Sequence, residues 1–265
     1  MAICGNGSLL VELATGRLVR TFPLAADLAM DRVRRMRQRL PGCAFAVEVM
    51  DGFGHEIAYV PMHEVPADAL VEDALALASR GPTRLLIQHR DLTIIELFER
   101  VTAICGTLAT AHYSSDSFVE ITAPGIDKGS ALARLCEDLG IDRNAVVAIG
   151  DMPIDLPMLA WAGRGVAVAN AHPDVLAAVS ETVVSNDEDG VADLLRSLLI
   201  SQMSGMVAGL QTRARVCGRR SAGHRLLLTE DVRFAMSPLP LRCRGRECAA
   251  QFLMVVAAPL GHDPN

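Results

Sequence analysis

The stretch Ala145-Val-Val-Ala-Ile-Gly-Asp-Met-Pro-Ile-Asp-Leu-Pro-Met-Leu159 decides the fold of this chain. Five of the six residues before the first acid are Ala, Val or Ile, which predicts a strand that is buried on both faces of a parallel sheet. Asp151 and Asp155 follow where this strand must end, at the carboxyl edge of the sheet, where open α/β sheets bind ligands. Two carboxylates that face one point suit Mg²⁺, which takes oxygen ligands.

Lys128 is the second unusual residue, and it lies in Gly125-Ile-Asp-Lys-Gly-Ser130 at the start of a predicted helix. It is the one lysine among the 25 cationic residues of the chain, all the others being arginine. A compact positive charge near a helix N-terminus is a good partner for a phosphate group. The alternative is that Lys128 is an ordinary solvated residue of the first helical turn.

Four motifs together carry a family resemblance. They are Gly125-Ile-Asp-Lys-Gly-Ser130, Gly150-Asp-Met-Pro-Ile-Asp-Leu-Pro-Met-Leu159, Gly165-Val-Ala-Val-Ala-Asn-Ala-His172 and Asn186-Asp-Glu-Asp-Gly-Val191. In order and spacing they resemble the C-terminal half of a Cof-type phosphatase of the haloacid dehalogenase superfamily. The resemblance covers roughly residues 1–200 and is strongest over 118–199. It implies Mg²⁺-dependent hydrolysis of phosphate monoesters through an aspartyl-phosphate intermediate.

The resemblance also implies a fold and a domain organisation. We expect an α/β protein with a Rossmann-like parallel-sheet core, incomplete at its N-terminus, and an inserted α+β cap domain. The core is predicted to comprise residues 1–8 and 116–200, and the cap residues 9–115. Residues 201–265 are predicted to form an irregular, Arg-rich extension.

Hydrophobic periodicity and turn residues predict the elements of the cap. Helices are expected over Leu24–Leu40, Pro66–Ser79 and Asp91–Ile104, the last capped by Asp91. Strands are expected over Cys43–Met50, Glu56–Val60, Arg84–Gln88 and Leu108–Tyr113, with Asp51–Gly54 as the turn of a hairpin. Phe118–Thr122 is expected to return the chain to the core.

The resemblance assigns expected roles to six residues. Asp151 and Asp155 would hold Mg²⁺, while Lys128 would stabilise the charge of the phosphate. Asp155 would also orient Lys128 or a metal-bound water.

The remaining expected contacts are with the substrate or its phosphate. Asn6 and Gly7 end a segment, Ala2–Ser8, that looks like a short core strand of the family, and Asn170 follows the predicted strand Gly165–Ala169. For Asn170 the alternative is an ordinary turn residue ahead of the predicted helix that begins at Pro173.

Two departures from the family pattern bear on activity. A strand ending in Asp-x-Asp, whose first acid is the nucleophile, precedes the Asn-Gly segment in the family, as does a strand ending in Ser or Thr. Neither precedes Asn6 here. Ile154 also replaces an Asn of the family, and an apolar side chain cannot hydrogen-bond to a metal-bound water.

We therefore expect the chain as printed to be inactive in the family reaction. Either the true start lies upstream of Met1 or the gene is a remnant. The favoured function is a phosphatase of small phosphorylated metabolites, with sugar phosphates first. A noncatalytic ligand-binding or regulatory protein is the alternative. A phosphotransfer receiver domain is a third hypothesis, but its pocket needs early acids that this sequence lacks.

Composition limits the classes of partner. The 265 residues are 51% hydrophobic, yet no apolar run reaches the length of a membrane span and no signal-peptide pattern is present, which predicts a cytoplasmic protein. Seven scattered cysteines indicate reduced thiols, and Cys243 and Cys248 lack a second pair for a zinc site. Of the net charge of −6, residues 1–200 contribute −11 and the rest +5, so a specific nucleic-acid partner is not expected. The sequence leaves the oligomeric state open.

Overall fold

The computed structural model describes residues 1–50, 52–62, 65–200, 233–235 and 254–257, the last two stretches as backbone strands. Apart from 233–235 and 254–257, the predicted Arg-rich extension lies outside these residues, as does the Cys243/Cys248 pair. The strands are β1 (Ala2–Cys4), β2 (Leu9–Glu12), β3 (Arg17–Thr21), β4 (Cys43–Val49), β5 (Gly52–His55), β6 (Leu70–Val71), β7 (Arg84–His89), β8 (Thr110–Tyr113), β9 (Val119–Thr122), β10 (Val146–Gly150), β11 (Arg164–Val168), β12 (Glu181–Val183), β13 (Arg233–Ala235) and β14 (Met254–Ala257). The helices are α1 (Ala26–Arg39), α2 (Ala74–Ala78), α3 (Ile94–Cys105), α4 (Lys128–Leu139), α5 (Leu156–Trp161), α6 (Pro173–Ala178) and α7 (190–200).

The sheet that carries the two acids has the strand order β12-β11-β10-β14-β13. Strands β10, β11 and β12 are parallel, as expected for strands joined through helices, whereas β14 pairs antiparallel with β10. Val146, Ala148 and Val166 are buried from water, together with Leu132 and Leu135 of α4. This apolar layer holds α4 beside the sheet and so brings the start of α4 near the end of β10.

A second sheet has the order β6-β5-β4-β7-β9-β8 and is mostly antiparallel. Helices α1, α2 and α3 cover one of its faces through a separate apolar cluster that includes Val33, Leu77, Leu97 and Phe45. A third, three-stranded antiparallel sheet is formed by β1, β2 and β3. Its residues Ile3 and Leu10 belong to the same apolar cluster as β10, so this small sheet packs against the acid-bearing one.

Several predicted elements of residues 9–122 are wrong in detail. Glu56–Val60 is not a strand, because Gly52–His55, which includes three residues of the predicted hairpin turn Asp51–Gly54, is the strand that pairs with β4. A β-carbon on Gly54 would lie 2.5 Å from Leu77 Cδ2, so this glycine serves the packing of α2 on the strand rather than a turn. Asp51 itself lies outside the described residues.

The predicted helix over 66–79 is also too long. Only Ala74–Ala78 is helical, and the Asp73 side chain caps it by accepting a hydrogen bond from the Leu75 amide. Leu70–Val71 forms the short strand β6 instead, paired in parallel with β5. Tertiary pairing therefore overrides the local helical pattern here.

Helix α3 begins later than predicted. Thr93, not Asp91, is its N-cap: the Thr93 hydroxyl accepts from the Glu96 amide while the Glu96 carboxylate accepts from the Thr93 amide. The reciprocal pattern Thr-x-x-Glu satisfies two backbone donors, whereas a cap at Asp91 has no such partner three residues on.

Strand β9 lies in the second sheet, between β7 and β8, rather than in the sheet of β10. Its Val119 and Ile121 side chains are fully buried in the cluster beneath α1–α3, which is the physical reason for this placement. The boundaries of the predicted core and cap domains stay a prediction. Among the helices of the described stretches, none has the length and apolarity that crossing a membrane requires.

Candidate active site

Lys128 is presented by a well-capped helix start. The Asp127 side chain accepts a hydrogen bond from the Ser130 amide at 2.7 Å, and the Ser130 hydroxyl accepts one from the Asp127 amide at 3.1 Å. This capping box fixes the first turn of α4, in which Lys128 stands. The Lys128 side chain is only 6% exposed, so the alternative of a solvated surface lysine is wrong.

Asp155 meets Lys128 from the opposite side. The Lys128 Nζ atom lies 2.5 Å from Asp155 Oδ1, and the Asp155 side chain is 3% exposed. The second oxygen, Oδ2, accepts hydrogen bonds from the backbone amides of Asp151 and Met152, both at 3.1 Å. Asp155 therefore binds the lysine and at the same time closes the turn that follows β10.

Two glycines make this approach feasible. A β-carbon on Gly129 would lie 2.5 Å from the carbonyl of Pro157, where α4 and α5 touch. A β-carbon on Gly150 would lie 2.6 Å from the β-carbon of Asp155. Because any larger residue would push these backbones apart, both glycines serve close approach rather than unusual backbone torsions.

Asp151 is half-buried at the end of β10, and its backbone oxygen accepts a hydrogen bond from the His172 amide at 2.8 Å. Burial raises the pKa of Asp151 to about 6, and the nearby Asp155 carboxylate adds to this, while the charge of Lys128 opposes it. A carboxylate with too little positive charge around it is the kind of group that a divalent cation would stabilise.

Asn6 and Gly7 lie in a tight turn beside the start of α4. Gly5, Asn6 and Gly7 have φ angles of 55°, 55° and 102°, left-handed values that glycine adopts without strain and that Asn adopts more readily than most other residues. A β-carbon on Gly7 would lie 2.3 Å from the Asp127 carbonyl oxygen, directly before Lys128 in sequence. The structure thus brings the Asn-Gly turn against the helix that presents Lys128.

Asn170 is exposed in the loop after β11, and its side chain pairs with a residue of another motif. Its Nδ2 donates to Asn186 Oδ1 at 2.6 Å, and the Asn186 amide donates to Asn170 Oδ1 at 3.2 Å. These bonds join the loops after β11 and β12 at one edge of the sheet. Contact of Asn170 with substrate or phosphate stays a prediction.

The structure also shows polar residues near the site that the sequence reasoning passed over. Glu120 is fully buried in β9, where it accepts hydrogen bonds from Asn6, Arg84 and Ser114. A signal was present, because Glu120 is a lone acid between apolar residues in Phe118-Val-Glu-Ile-Thr122 and such an acid needs partners.

The donor set for a metal ion is small. Among residues 1–50, 52–62 and 65–200, no three His, Cys, Asp or Glu side chains form a group that could hold an ion. Asp155 already accepts three hydrogen bonds, whereas Asp151 combines partial exposure with a raised pKa. Asp151 therefore fits a Mg²⁺ ligand better than Asp155 does, with waters completing the coordination.

Parallel strands with acids at their carboxyl edge and a lysine from a neighbouring helix start define an α/β protein with a site at the edge of a Rossmann-like sheet. The profile described as haloacid dehalogenase-like hydrolase matches residues 1–195 of the chain. The chain belongs to this family, which confirms the recognition made from the four motifs.

Individual relatives agree with this assignment. Protein YxeH of Bacillus subtilis is 35% identical over 151 residues, which make up 55% of this chain and 52% of YxeH. The phosphoglycolate phosphatase of Methanopyrus kandleri is 39% identical over 112 residues, 42% of this chain and 48% of that protein. The matched regions thus span about half the length of each relative.

The fold has counterparts among solved structures. The sugar phosphatase BT4131, of haloacid dehalogenase subclass IIB, superimposes with a TM-score of 0.61 and 18% identity over 75% of each chain. At this identity the likeness concerns the fold alone. The predicted α/β fold with a Rossmann-like parallel sheet is confirmed, while the assignment of residues 9–115 to a cap stays a prediction.

Proposed function

We propose that this chain carries the phosphate-binding and metal-binding half of a Mg²⁺-dependent phosphatase for small phosphorylated metabolites. Sugar phosphates are the first candidate substrates. The observation that carries the proposal is the buried Lys128–Asp155 pair at the carboxyl edge of the sheet, 2.5 Å between Nζ and Oδ1. An ammonium group held in this way costs little reorganisation when a phosphate group arrives. The phosphatase names of relatives support the same class of substrate.

Each residue then has a proposed task. Lys128 would donate hydrogen bonds to the phosphate oxygens, and Asp155 would hold the lysine in place. Asp151 would be the protein ligand of Mg²⁺. The ion would neutralise charge on the phosphate oxygens. Asn170 and the Asn6-Gly7 turn would contact the substrate.

The nucleophile is the open part of this proposal. Asp155 is engaged by Lys128 and by two backbone amides, and Asp151 is the proposed metal ligand. Neither carboxylate is then free to accept the phosphoryl group. We therefore propose that the residues of this chain bind phosphate esters without supplying the nucleophile, which in an active form would come from an Asp-x-Asp segment of the kind that the family carries.

The test is hydrolysis of p-nitrophenyl phosphate with Mg²⁺, by this chain and by a chain extended through the upstream in-frame codons. Activity in the extended form alone, abolished by Lys128→Met, is the expected result. Activity in the printed chain would overturn the proposal that it lacks a nucleophile. Inactivity of both forms would overturn the proposed phosphatase function.

The second candidate is a noncatalytic ligand-binding or regulatory protein. The observation that favours it is the full engagement of Asp155 by hydrogen bonds. Calorimetric binding of glucose 6-phosphate without turnover in either form would support this alternative. The cytoplasmic location and the lack of a membrane or specific nucleic-acid partner stay predictions from the sequence.

A further inference from the structure

A buried polar network joins the second sheet to the Asn-Gly turn of the site. Glu120 of β9 is completely buried, and its Oε2 accepts from Asn6 Nδ2 and from Arg84, the latter at 2.5 Å. Its Oε1 accepts from the Ser114 hydroxyl at 2.6 Å. Asn6 and Glu120 are 114 residues apart in the chain, so folding of both sheets is needed to form this bond.

The donors around Glu120 favour its carboxylate form despite its burial, because Arg84 and the Ser114 hydroxyl both donate to it. Burial by itself would raise the pKa of Glu120, but the charge of Arg84 and the Ser114 hydroxyl outweigh it and lower that pKa. Arg84 is shared with Glu48, to which it donates from both Nε and Nη2. An ionised carboxylate only accepts hydrogen bonds. The amide of Asn6 must therefore point its Nδ2 at Glu120, with Oδ1 directed away.

The place of this amide matters because the turn that holds it is pressed against the site. Gly7 lies so close to the Asp127 carbonyl that a β-carbon there would be 2.3 Å from the oxygen. Lys128 follows Asp127 directly. The Asn6 amide therefore lies in a turn that packs directly against the first turn of α4.

We propose that Glu120 is a positioning residue that orients the Asn6 amide, so that Asn6 Oδ1 accepts a hydrogen bond from a hydroxyl group of a sugar phosphate. This inference rests on the proposed function, in which Lys128 takes the phosphate. A phosphate dianion offers only hydrogen-bond acceptors, whereas the hydroxyl groups of the sugar can donate hydrogen bonds to Asn6 Oδ1. Asn6 thus binds the sugar part of the substrate rather than its phosphate.

The orientation is tested by NMR of the Asn6 side-chain amide in the full chain without ligand. Glu120→Gln keeps an acceptor oxygen toward Asn6, while Glu120→Ala removes it. The expected result is a downfield, slowly exchanging Asn6 amide proton in the wild type and in Glu120→Gln, lost in Glu120→Ala. Retention of that proton in Glu120→Ala would overturn the inference.

The specificity is tested by calorimetry with glucose 6-phosphate and with inorganic phosphate, both with Mg²⁺. Asn6→Ala and Glu120→Ala should each weaken glucose 6-phosphate binding about tenfold, the loss of one hydrogen bond, with phosphate affinity unchanged. The double variant should be no weaker than either single one, because Glu120 acts through Asn6. Glu48→Ala, which removes the other acid at Arg84, is the matched control and should bind as the wild type does.

Three outcomes would overturn the inference: additive losses in the double variant, equal losses for the two probes, or a Glu48→Ala effect as large as that of Glu120→Ala. Urea unfolding of each variant confirms that it is folded at the assay temperature. If the wild type binds neither probe, the proposed function fails and the specificity proposal fails with it. The NMR result then still decides whether Glu120 orients Asn6.

Discussion

Lys128 Nζ lies 2.5 Å from Asp155 Oδ1, and both side chains are almost completely removed from water. The contact joins the first turn of α4 to the turn after β10, which are 27 residues apart in the chain. In a poorly hydrated setting each charge depends on the other, because an unpaired buried charge is costly. The pair is therefore both a structural element and the centre of the proposed site.

Replacing Asp155 should cost much stability. Asp155→Ala leaves the Lys128 ammonium buried without a partner and removes the acceptor of two backbone amides. We expect a loss of about 3–5 kcal/mol in the free energy of unfolding, measured by urea denaturation. Asp193→Ala, which breaks an exposed ion pair with Arg196, is the control and should cost under about 1 kcal/mol. Equal effects of the two variants would contradict the buried pair.

Asp151 should make the metal-free chain less stable at neutral than at acidic pH. Its pKa is raised to about 6 in the folded state, so folding favours the protonated form. The favourable contribution of this group is fully present below the unfolded pKa, about 4, and is lost as the pH rises through about 6. The free energy of unfolding of the wild type minus that of Asp151→Asn should therefore fall between pH 4 and pH 8. Urea unfolding in EDTA measures this difference. A difference that does not change with pH would contradict it.

Gly129 should tolerate no side chain. The added methyl of Gly129→Ala meets the Pro157 carbonyl at 2.5 Å, so α4 and α5 must move apart. We expect a loss of about 1–3 kcal/mol in unfolding free energy. Gly52→Ala is the control, since among the described residues the nearest atom to a β-carbon there is Val49 Cγ2, at 3.9 Å. A Gly129→Ala variant as stable as Gly52→Ala would show that the helices have room to adjust.

The N-cap of α3 separates the structure from the sequence-based prediction. Thr93→Ala should destabilise the chain by about 1 kcal/mol, while Asp91→Ala should have little effect. Thr93→Ser keeps the hydroxyl and should restore most of the stability. Thermal unfolding followed by circular dichroism measures all three variants. A larger loss of stability for Asp91→Ala than for Thr93→Ala would favour Asp91 as the N-cap, as the sequence predicts.

Local patterns were sufficient for the elements that hold the proposed site. The apolar run before Asp151 predicts β10, and the motif around Lys128 predicts the start of α4, where the structure has both elements. Gly140 has the left-handed conformation, φ 65°, that ends helices. Such features depend on neighbours within a few residues, which a sequence displays directly.

Prediction failed where distant segments compete for the same chain. The strand Gly52–His55 contains two glycines that are typical of a turn, and only the packing of Leu77 against Gly54 explains the second of them. Similarly, β9 belongs to the sheet whose apolar cluster buries Val119 and Ile121, a fact that no local pattern contains.

By itself the sequence determined the family, the sheet edge and the residue types gathered there, because strand ends, helix starts and caps are encoded locally. Only the tertiary structure decided that Asp155 binds Lys128 through one oxygen and the Asp151 turn through the other. It alone also placed Glu120 against Asn6. These contacts join residues far apart in the chain, and their geometry is fixed by how the helices and sheets pack around them.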